Sequence, residues 1–179
     1  MGTGTTSAFD AAVDRAVERI RGSRGADALF YTVSALGDRG MIWAVIAATQ
    51  AARAPARRAR TVRMLAASGV ASAVVNRALK ARIERPRPAF QGEHPLPIRV
   101  PTSGSFPSGH TLAAFCAATV FARHDRWPAF ATYLSLATLI GISRVYVRMH
   151  HASDVVGGAV IGVVLGLGIR AILRRLSPQ

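Results

Sequence analysis

The chain has 179 residues, of which half are apolar and 18% are charged, and its mean hydropathy is +0.26. Soluble domains carry roughly 25% charged residues, so this composition excludes a disordered protein, a collagen and a coiled coil. The single cysteine, Cys116, excludes a disulfide scaffold and a cysteine-based zinc site. Lysine and arginine number 23 against 9 acidic residues, which predicts a partner that is either nucleic acid or an anionic membrane surface or substrate.

The N-terminal segment, residues 1–27, is predicted to contain an amphipathic helix. Its apolar residues Phe9, Val13, Val17 and Ile20 recur at helical spacing, and charged residues lie off that stripe. We expect such a helix to lie at a membrane interface.

Residues 28–175 are predicted to form a single all-α domain. Apolar runs without the alternation expected of strands occupy residues 28–36, 41–52, 64–75, 111–122, 127–143 and 155–169. Glycine and alanine fill these runs, as they do in helices that pack closely in lipid. The prediction is a polytopic membrane bundle of about six helices with an interfacial amphipathic N-terminal segment.

The distribution of charge favours a membrane protein over a soluble bundle. If the six helices alternate in direction, the N-terminus, the 53–63 loop, the 123–126 loop and the C-terminus share one side. That side then holds most of the arginines, and the positive-inside rule makes it cytoplasmic. The polar segments 80–107 and 144–154 are therefore expected on the outer face of the plasma membrane.

The same charges do not suit a nucleic-acid-binding surface. Basic residues flank the apolar runs, and the aromatic residues lie mainly within those runs. Single-stranded nucleic acids are bound by exposed aromatic side chains on which the bases stack. We therefore expect the lipid bilayer, and no nucleic acid, as a partner.

The start of the helix after Pro107 is the first candidate site. Ser108 is a natural N-cap, and Gly109 lets the backbone approach an anion at the helix start, where free N–H groups attract one. Taken alone, these two residues are more simply explained as a helix cap. His110 in the first turn fits a surface residue and a proton donor equally well.

A histidine and an aspartate form the second candidate site. His150 and Asp154 are four residues apart, so on a helix they share one face. A carboxylate that accepts from one ring nitrogen makes the other nitrogen a better nucleophile or base. Spacing does not choose between His150 and His151, and such a pair is also commonly a structural hydrogen bond. Arg144 is close enough in sequence to serve the same site.

Two further cations complete the set. Lys80, the only lysine, and Arg87 lie in the polar segment before Pro107, and either one alone suggests a solvated basic face. Together with two histidines, a carboxylate, a serine and a third cation, they suit phosphoryl transfer. No cluster of carboxylates for magnesium or calcium appears in these segments. We therefore expect a reaction through a phosphohistidine, without metal or cofactor.

Three segments of the chain resemble the signature of the type 2 phosphatidic acid phosphatase superfamily. They are Lys80-x6-Arg87-Pro88, Pro107-Ser108-Gly109-His110 and Ser143-Arg144-x5-His150-x3-Asp154. All three occur in order and at the family's spacing, and the surrounding helices cover most of residues 28–173. The superfamily includes membrane lipid phosphatases, soluble bacterial acid phosphatases and vanadium haloperoxidases.

The resemblance implies a role for each residue of the signature. His150, rather than His151, is the expected nucleophile, Asp154 orients it, and His110 protonates the leaving group. The expected phosphate-binding residues are Lys80, Arg87, Ser108, Gly109 and Arg144. No metal ligand is expected.

The third segment departs from the pattern of many bacterial lipid phosphatases of this type. They read Gly-Val-His-Tyr-Pro-Ser-Asp where this chain has Arg148-Met-His150-His151-Ala152-Ser-Asp154. Arg148 is a candidate contact to a second phosphate or a sugar phosphate, and a solvated arginine is the alternative. Three other residues, His94, His124 and Cys116, are expected to have no role in the chemistry.

The expected activity is hydrolysis of a lipid phosphomonoester or diphosphate. A polyprenyl-type substrate is favoured because spent polyprenyl carriers are dephosphorylated at the outer face before reuse, and Arg82, Arg85 and Arg148 are the candidates to serve its additional phosphate. Phosphatidylglycerol phosphate and phosphatidic acid are the alternatives. A vanadate-dependent haloperoxidase is more remote, since those proteins are much longer and mostly soluble.

Overall fold

The computed structural model describes residues 7–89, 94–96, 98, 100–122 and 127–176, with the side chains of residues 39, 127 and 128 excepted. Across these residues the regular structure is entirely helical. The α-helices are α1 (Ala8–Glu18), α2 (Arg24–Gly37), α3 (Met41–Arg53), α4 (Arg58–Lys80), α5 (Gly109–Phe121), α6 (Trp127–Tyr146) and α7 (Ala152–Arg175). The predicted all-α fold is confirmed: α1 is the amphipathic segment, and α2–α7 are the six expected helices.

Local capping sets where several helices begin. Ser7, Ser23 and Ser108 cap α1, α2 and α5, because each hydroxyl accepts a backbone N–H three residues further along the chain. Helix α4 is longer than its apolar run at residues 64–75, extending to Arg58 at one end and Lys80 at the other. These added turns are polar, so apolar periodicity alone did not include them.

The core lies around α5, which packs against α4, α6 and α7. Phe121 at the end of α5 is fully buried, and its ring stands 6.2 Å from Trp43 of α3 and 6.4 Å from Tyr133 of α6. Cys116 lies in the same cluster and is fully buried. Apolar residues of α3 to α7 therefore form one main cluster, and a smaller second cluster consists of Tyr31, Tyr146, Val147 and Met149.

A stripe of glycines on α7 sets its distance from α5. A Cβ added at Gly158 would lie 2.8 Å, and one at Gly166 2.9 Å, from a carbonyl oxygen of α5; at Gly162 it would come closer still. Small residues at this spacing let two helix backbones approach closely. The pair α5 and α7 accordingly forms the most extensive helix–helix contact of the structure.

Helices α4 and α6 end, and α5 and α7 begin, at one end of the bundle, which we name the site end. There the Ser108 N–H donates to the Asp154 carbonyl oxygen at 3.1 Å, and the Lys80 ammonium donates to the Gly104 carbonyl oxygen at 2.7 Å. The opposite end, named the far end, holds Arg58 at the start of α4. A helix of 23 residues is about 34 Å long, which is close to the ~30 Å thickness of a bilayer's hydrocarbon core.

Within the described ranges, two helices are long and apolar enough to cross a membrane, α6 over Ala129–Tyr146 and α7 over Ala152–Arg175, and α5 is a shorter apolar helix. Helix α7 leaves most of its apolar surface uncovered by the rest of the protein. The exposed residues Val156, Val160, Val164 and Leu167 recur at helical spacing and form one face that suits contact with lipid.

The structure corrects one expectation about the N-terminal segment. Helix α1 lies at the site end, where Asp10 accepts from the Ser153 N–H and Arg21 donates to the carbonyl oxygens of Val145 and Tyr146. The expected placement of the N-terminus on the opposite side is therefore wrong. Its arginines join those of the polar segments, so counting arginines no longer separates the two faces. Residues 99, 123 and 126, which also entered that count, lie outside the described residues.

The glycine stripe makes a direct prediction about stability. Gly162→Ala forces a methyl group against the backbone of α5, so we expect the unfolding temperature in detergent to fall, for an overpacking cost of about 1–3 kcal/mol. Gly168→Ala on the same helix is the matched control, because a Cβ there meets nothing within 4 Å. The control is expected to keep or slightly raise the unfolding temperature, since alanine favours helix over glycine. Equal effects of the two substitutions would contradict close packing at Gly162.

Candidate active site

The four helix ends at the site end bring together the residues of the three sequence segments. Lys80 comes from the end of α4, Arg144 from the end of α6, and the loop before α5 contributes Arg87. The remaining members lie at the starts of α5 and α7 or just before them: Ser108, Gly109, His110, His150 and Asp154. Residues that are up to 74 positions apart in the chain thus lie at one end of the bundle. There His110 lines a cavity with Arg144, and His150 lines a neighbouring one with Arg148.

His150 is oriented by two charged neighbours. Its side chain is 2% exposed, and its Nδ1 stands 3.7 Å from Asp154 Oδ2, which is ion-pair distance rather than hydrogen-bond length. Its Nε2 lies 3.4 Å from an Arg87 guanidinium nitrogen. The ring therefore turns one nitrogen to a carboxylate and the other to a cation that can hold an anion.

The electrostatic surroundings keep His150 neutral. Burial lowers the pKa of His150 to about 4, against the raising effect of Asp154 and with a further lowering by the cations Arg87 and Arg144. At neutral pH the imidazole is therefore uncharged and keeps a lone pair on one nitrogen. This is the state that a nucleophile requires.

His151 has a different environment from its neighbour. It is the N-cap residue of α7, and its backbone N–H donates to Asp154 Oδ2 at 2.8 Å. That bond fixes the same carboxylate oxygen that faces His150. Spacing left the two histidines equivalent, whereas the turn into α7 sets only the His150 ring between Asp154 and Arg87.

Carbonyl oxygens of the loop before α5 hold two of the cations. The Lys80 ammonium donates to Gly104 O and to the Ser103 hydroxyl, at 2.7 and 3.3 Å. Arg87 donates to Ser103 O at 3.2 Å and to Met149 O at 2.7 Å. Burial lowers the pKa of Arg87, and the charge of Asp154 opposes that shift. Both side chains are thus held in place without carboxylate partners of their own.

Arg144 is almost completely buried. One terminal nitrogen of its guanidinium donates to the Ser34 hydroxyl of α2, while its Nε is buried and has no hydrogen-bond partner among the described residues. A buried charged donor without a partner is costly. An anion bound against this nitrogen would remove the cost.

Ser108 is fully buried and its hydroxyl turns toward its own helix. The Oγ accepts from the Thr111 N–H at 3.5 Å and from the Thr111 hydroxyl at 2.9 Å, as expected of a cap. At Gly109 a Cβ would lie 2.9 Å from the Asn76 side chain of α4. Glycine therefore keeps the start of α5 close to α4, and Asn76 is a neighbour that sequence reasoning missed.

His110 pairs with a carboxylate that was also missed. Its Nε2 lies 3.2 Å from Asp38 Oδ1, at the end of α2, where the sequence indicated only a turn. His110, Asp38 and Arg144 line an open cavity of about 440 Å³, together with apolar residues such as Ile98 and Val100. The cavity thus places the His110 imidazole and the Asp38 carboxylate beside an apolar wall.

The side chain of Arg148 forms ion pairs with acidic residues of α1. The residue has a positive φ of 55°, and its guanidinium pairs with Glu18 and, at 3.7 Å, with Asp14. The headgroup contact expected of Arg148 stays a prediction. Of the histidines given no role, His94 lies 2.9 Å from the Tyr31 hydroxyl, and His124 falls outside the described residues.

The contacts of Arg85 also differ from those expected from the sequence. The sequence placed it among the cations for an additional phosphate, whereas its guanidinium contacts Asp154 Oδ1 at 2.6 Å and Asp10 Oδ2 at 2.8 Å. Across the described part of the chain, no three His, Cys, Asp or Glu side chains converge as metal ligands would. The site is therefore a cluster of cations and imidazoles around one buried carboxylate.

Comparison with known proteins finds relatives that are named as phosphatases of lipid phosphates. Phosphatidylglycerophosphatase B of Bacillus subtilis is 36% identical over 103 residues, which cover 51% of this chain and 48% of the relative. Undecaprenyl-diphosphatase BcrC of the same organism is 29% identical over 104 residues, covering 55% and 51%. Lipid A 1-phosphatase of Porphyromonas gingivalis is 41% identical over 68 residues, covering 36% and 15%. The aligned regions thus span about half, or less, of these relatives.

Two solved structures match almost the whole fold. The transmembrane PAP2-type phosphatidylglycerolphosphate phosphatase of Bacillus subtilis aligns with a TM-score of 0.74 and 27% identity, over 94% of this chain and 86% of that one. Aquifex aeolicus LpxE also gives 0.74, with 28% identity over 93% and 96%. The family model of the PAP2 superfamily matches residues 61–177. This match takes in all three signature segments, and the chain therefore belongs to the PAP2 superfamily.

Proposed function

We propose that this protein is an integral membrane lipid-phosphate phosphatase that works through a phosphohistidine. The observation that carries the proposal is the setting of His150, which is neutral, buried, and held between Asp154 and Arg87. The unpartnered Nε of Arg144 supports it, since a phosphate oxygen is a suitable acceptor there. The relatives named above are all phosphatases of lipid phosphates by name.

The first chemical step transfers the phosphoryl group to the enzyme. The free ring nitrogen of His150 attacks phosphorus, and the bond from phosphorus to the leaving oxygen breaks. His110 donates a proton to that oxygen, and Asp154 stabilises the charge that develops on His150. The oxygens of the phosphoryl group are bound by cations and by backbone N–H groups at the start of α5. The residues assigned to this binding are Lys80, Arg87, Ser108, Gly109 and Arg144.

The second step releases phosphate. His110, now unprotonated, accepts a proton from water as the water oxygen attacks phosphorus. The bond between phosphorus and His150 breaks, and the electron pair returns to the ring nitrogen. Asp38 suits this exchange because it lies within 3.2 Å of the His110 ring and favours its protonated form.

The substrate is a lipid phosphate, with the polyprenyl type proposed first. The cavity beside His110 has an apolar wall at Ile98 and Val100, which suits the first carbons of a lipid leaving group. Relatives named for undecaprenyl diphosphate, phosphatidylglycerophosphate and lipid A support the broader class. Phosphatidylglycerol phosphate and phosphatidic acid are the alternatives.

We place the protein as a multi-pass protein of the plasma membrane with the site end on the outer face. Every carboxylate in the described residues lies at the site end: Asp10, Asp14, Glu18, Asp27, Asp38, Glu84 and Asp154. The far end carries the arginines of residues 53–63 and 170–175, and none of the described residues there is acidic. Cations without acidic neighbours are attracted to the anionic cytoplasmic leaflet.

The nucleophile is tested by replacing each of the two adjacent histidines singly with alanine. His150→Ala is expected to lower phosphate release by ~10⁴-fold or more, because no other ring nitrogen is set between Asp154 and Arg87. His151→Ala is the matched control and should keep most of the activity, because the backbone N–H of residue 151 still donates to Asp154 Oδ2. The measurement is the initial rate of phosphate release by purified protein in detergent, with acid-quench trapping of the phosphoenzyme.

The reverse ranking of the two variants would reassign the nucleophile to His151. The same assay repeated with a chelator is expected to give an unchanged rate. Complete inhibition by the chelator would show that the reaction needs a metal ion.

The substrate class is tested with a panel of lipids at matched detergent concentration. We expect kcat/KM to be highest for a polyprenyl phosphate or diphosphate, lower for phosphatidylglycerol phosphate and phosphatidic acid, and lowest for a soluble phosphomonoester. The soluble compound is the control for the apolar wall of the cavity. A higher kcat/KM for phosphatidic acid than for both polyprenyl lipids would reject the polyprenyl assignment and leave the phosphatase in place.

Sidedness is tested by labelling single cysteines in intact cells with a membrane-impermeant reagent. In a Cys116→Ala background, Val100→Cys in the loop before α5 should be labelled, and Arg58→Cys at the far end should be protected until the cells are opened. Both positions are exposed on the protein surface, so a difference in labelling reports the membrane rather than burial. The opposite pattern would place the site on the cytoplasmic face.

A further inference from the structure

Helix α1 contributes a buried carboxylate to the edge of the active site. Asp10 is the only buried residue of this otherwise half-exposed helix. Its Oδ1 accepts from the Ser153 N–H at 2.7 Å, and its Oδ2 accepts from the Ser153 hydroxyl at 2.8 Å. Burial raises the pKa of Asp10, but hydrogen bonds from Ser153 and Arg85 outweigh this and hold it well below its usual range. Asp10 is therefore an anion at the N-terminus of α7, where the helix dipole favours one.

Arg85 connects this carboxylate to Asp154. One guanidinium nitrogen donates to Asp10 Oδ2 at 2.8 Å, and the other donates to Asp154 Oδ1 at 2.6 Å and to the Ser153 hydroxyl at 2.7 Å. The planar fork of an arginine can hold two carboxylates in this way, whereas a lysine ammonium is a single point charge. Two buried carboxylates thus share one cation.

The contact from Arg85 determines how Asp154 faces His150. Asp154 is fully buried, and its Oδ2 takes the His151 N–H and faces the His150 ring. Its Oδ1 is held by Arg85. Without that donor, Oδ1 is a buried acceptor with no compensating charge, and the two carboxylates repel each other. Rotation of the carboxylate would then relieve the repulsion at the expense of the contact with His150.

We propose that Arg85 and Asp10 are positioning residues that hold Asp154 in the orientation required to align His150. Helix α1 is then a working part of the active site, although it lies outside residues 61–177, which match the family model. The inference rests on the proposed phosphohistidine function. Neither side chain touches the reacting atoms, and both act through Asp154.

The first test separates kcat from KM for Arg85→Ala and Asp10→Asn. Both are expected to lower kcat by ~10–100-fold, the scale seen when a partner that orients a functional side chain is lost, with KM within about twofold of the wild-type value. Arg85→Lys should restore only part of the loss. The double variant should lose no more than Arg85→Ala alone, because the two residues act as one unit.

Asp14→Asn is the matched control on the same helix. Asp14 lies one turn from Asp10 and pairs with Arg21 and Arg148 without contacting Arg85 or Asp154. We expect its kcat to match the wild type. If Asp14→Asn lowers kcat as much as Asp10→Asn does, the effect comes from docking of α1 in general, and the proposed positioning role is overturned.

The pH profile gives a readout that loss of stability alone would not move. The charged or titratable groups that face His150 are Asp154 from α7, Arg87 from the loop before α5, Arg144 from α6 and His110 from α5; Lys80 from α4 acts on Asp154. Asp154 raises the pKa of His150, and Arg85 acts on Asp154. Because both Arg85→Ala and Asp10→Asn release the Asp154 carboxylate from its orientation toward His150, the acid limb of kcat/KM should move to lower pH in both variants.

The outcomes distinguish this inference from the proposed function. If the wild type releases phosphate but Arg85→Ala and Asp10→Asn keep its kcat and its acid limb, the positioning role is wrong and the phosphatase stands. If the wild type releases no phosphate from any lipid, the proposed function fails and this inference fails with it. Should Arg85→Ala not fold, the nearly isosteric Asp10→Asn decides, because an unchanged kcat and acid limb there is sufficient to reject the proposal.

Discussion

The close approach of α5 and α7 is the constraint on which the site depends. The glycines at positions 158, 162 and 166 remove the side chains that would otherwise keep the two backbones apart. As a result the starts of both helices lie side by side, and the Ser108 N–H reaches the Asp154 carbonyl oxygen. Any widening of this interface moves His110 away from His150, and in the proposed reaction both act on the same phosphoryl group. The packing of small residues in the bundle thus sets the geometry of the chemistry at its end.

The site itself is held ready for an anion at some cost in stability. The buried Arg144 Nε and His150 Nδ1 have no hydrogen-bond partner among the described residues, and groups of this kind are rare in folded proteins. Lys80 and Arg87 are held by backbone carbonyl oxygens rather than by carboxylates. Neither side chain has a carboxylate hydrogen-bond partner of its own, and in the proposed function a phosphate supplies a compensating charge.

Helix α1 joins the membrane interface to this arrangement. Its carboxylates Asp10, Asp14 and Glu18 lie one turn apart and pair with arginines of the site end, while Phe9 and Ile20 stay exposed. The carboxylates are thus used against the protein, and of the apolar stripe Val17 packs against the cluster around Tyr146 while Phe9 and Ile20 stay uncovered. Because α1 lies at the site end, its arginines do not distinguish the two faces of the bundle, whereas the carboxylates of the described residues lie at the site end.

The sequence by itself determined the helices and the chemical types at the site. Apolar runs and their periodicity predicted the helices, although not the polar ends of α4. The three signature segments predicted the candidate site residues, among them His150 and Asp154, which are four residues apart. Spacing left His150 and His151 equivalent and the family resemblance chose His150; the tertiary structure supplied the physical reason, since only the His150 ring lies between Asp154 and Arg87. Only the tertiary structure placed Asp38 beside His110 and showed that Arg85 bridges two carboxylates. These contacts join residues that lie far apart in the chain, or depend on the turn into α7. Periodicity within a helix predicts which face of that helix is buried. It does not predict which side chains of other segments lie against that face, or how the chain turns before the next helix.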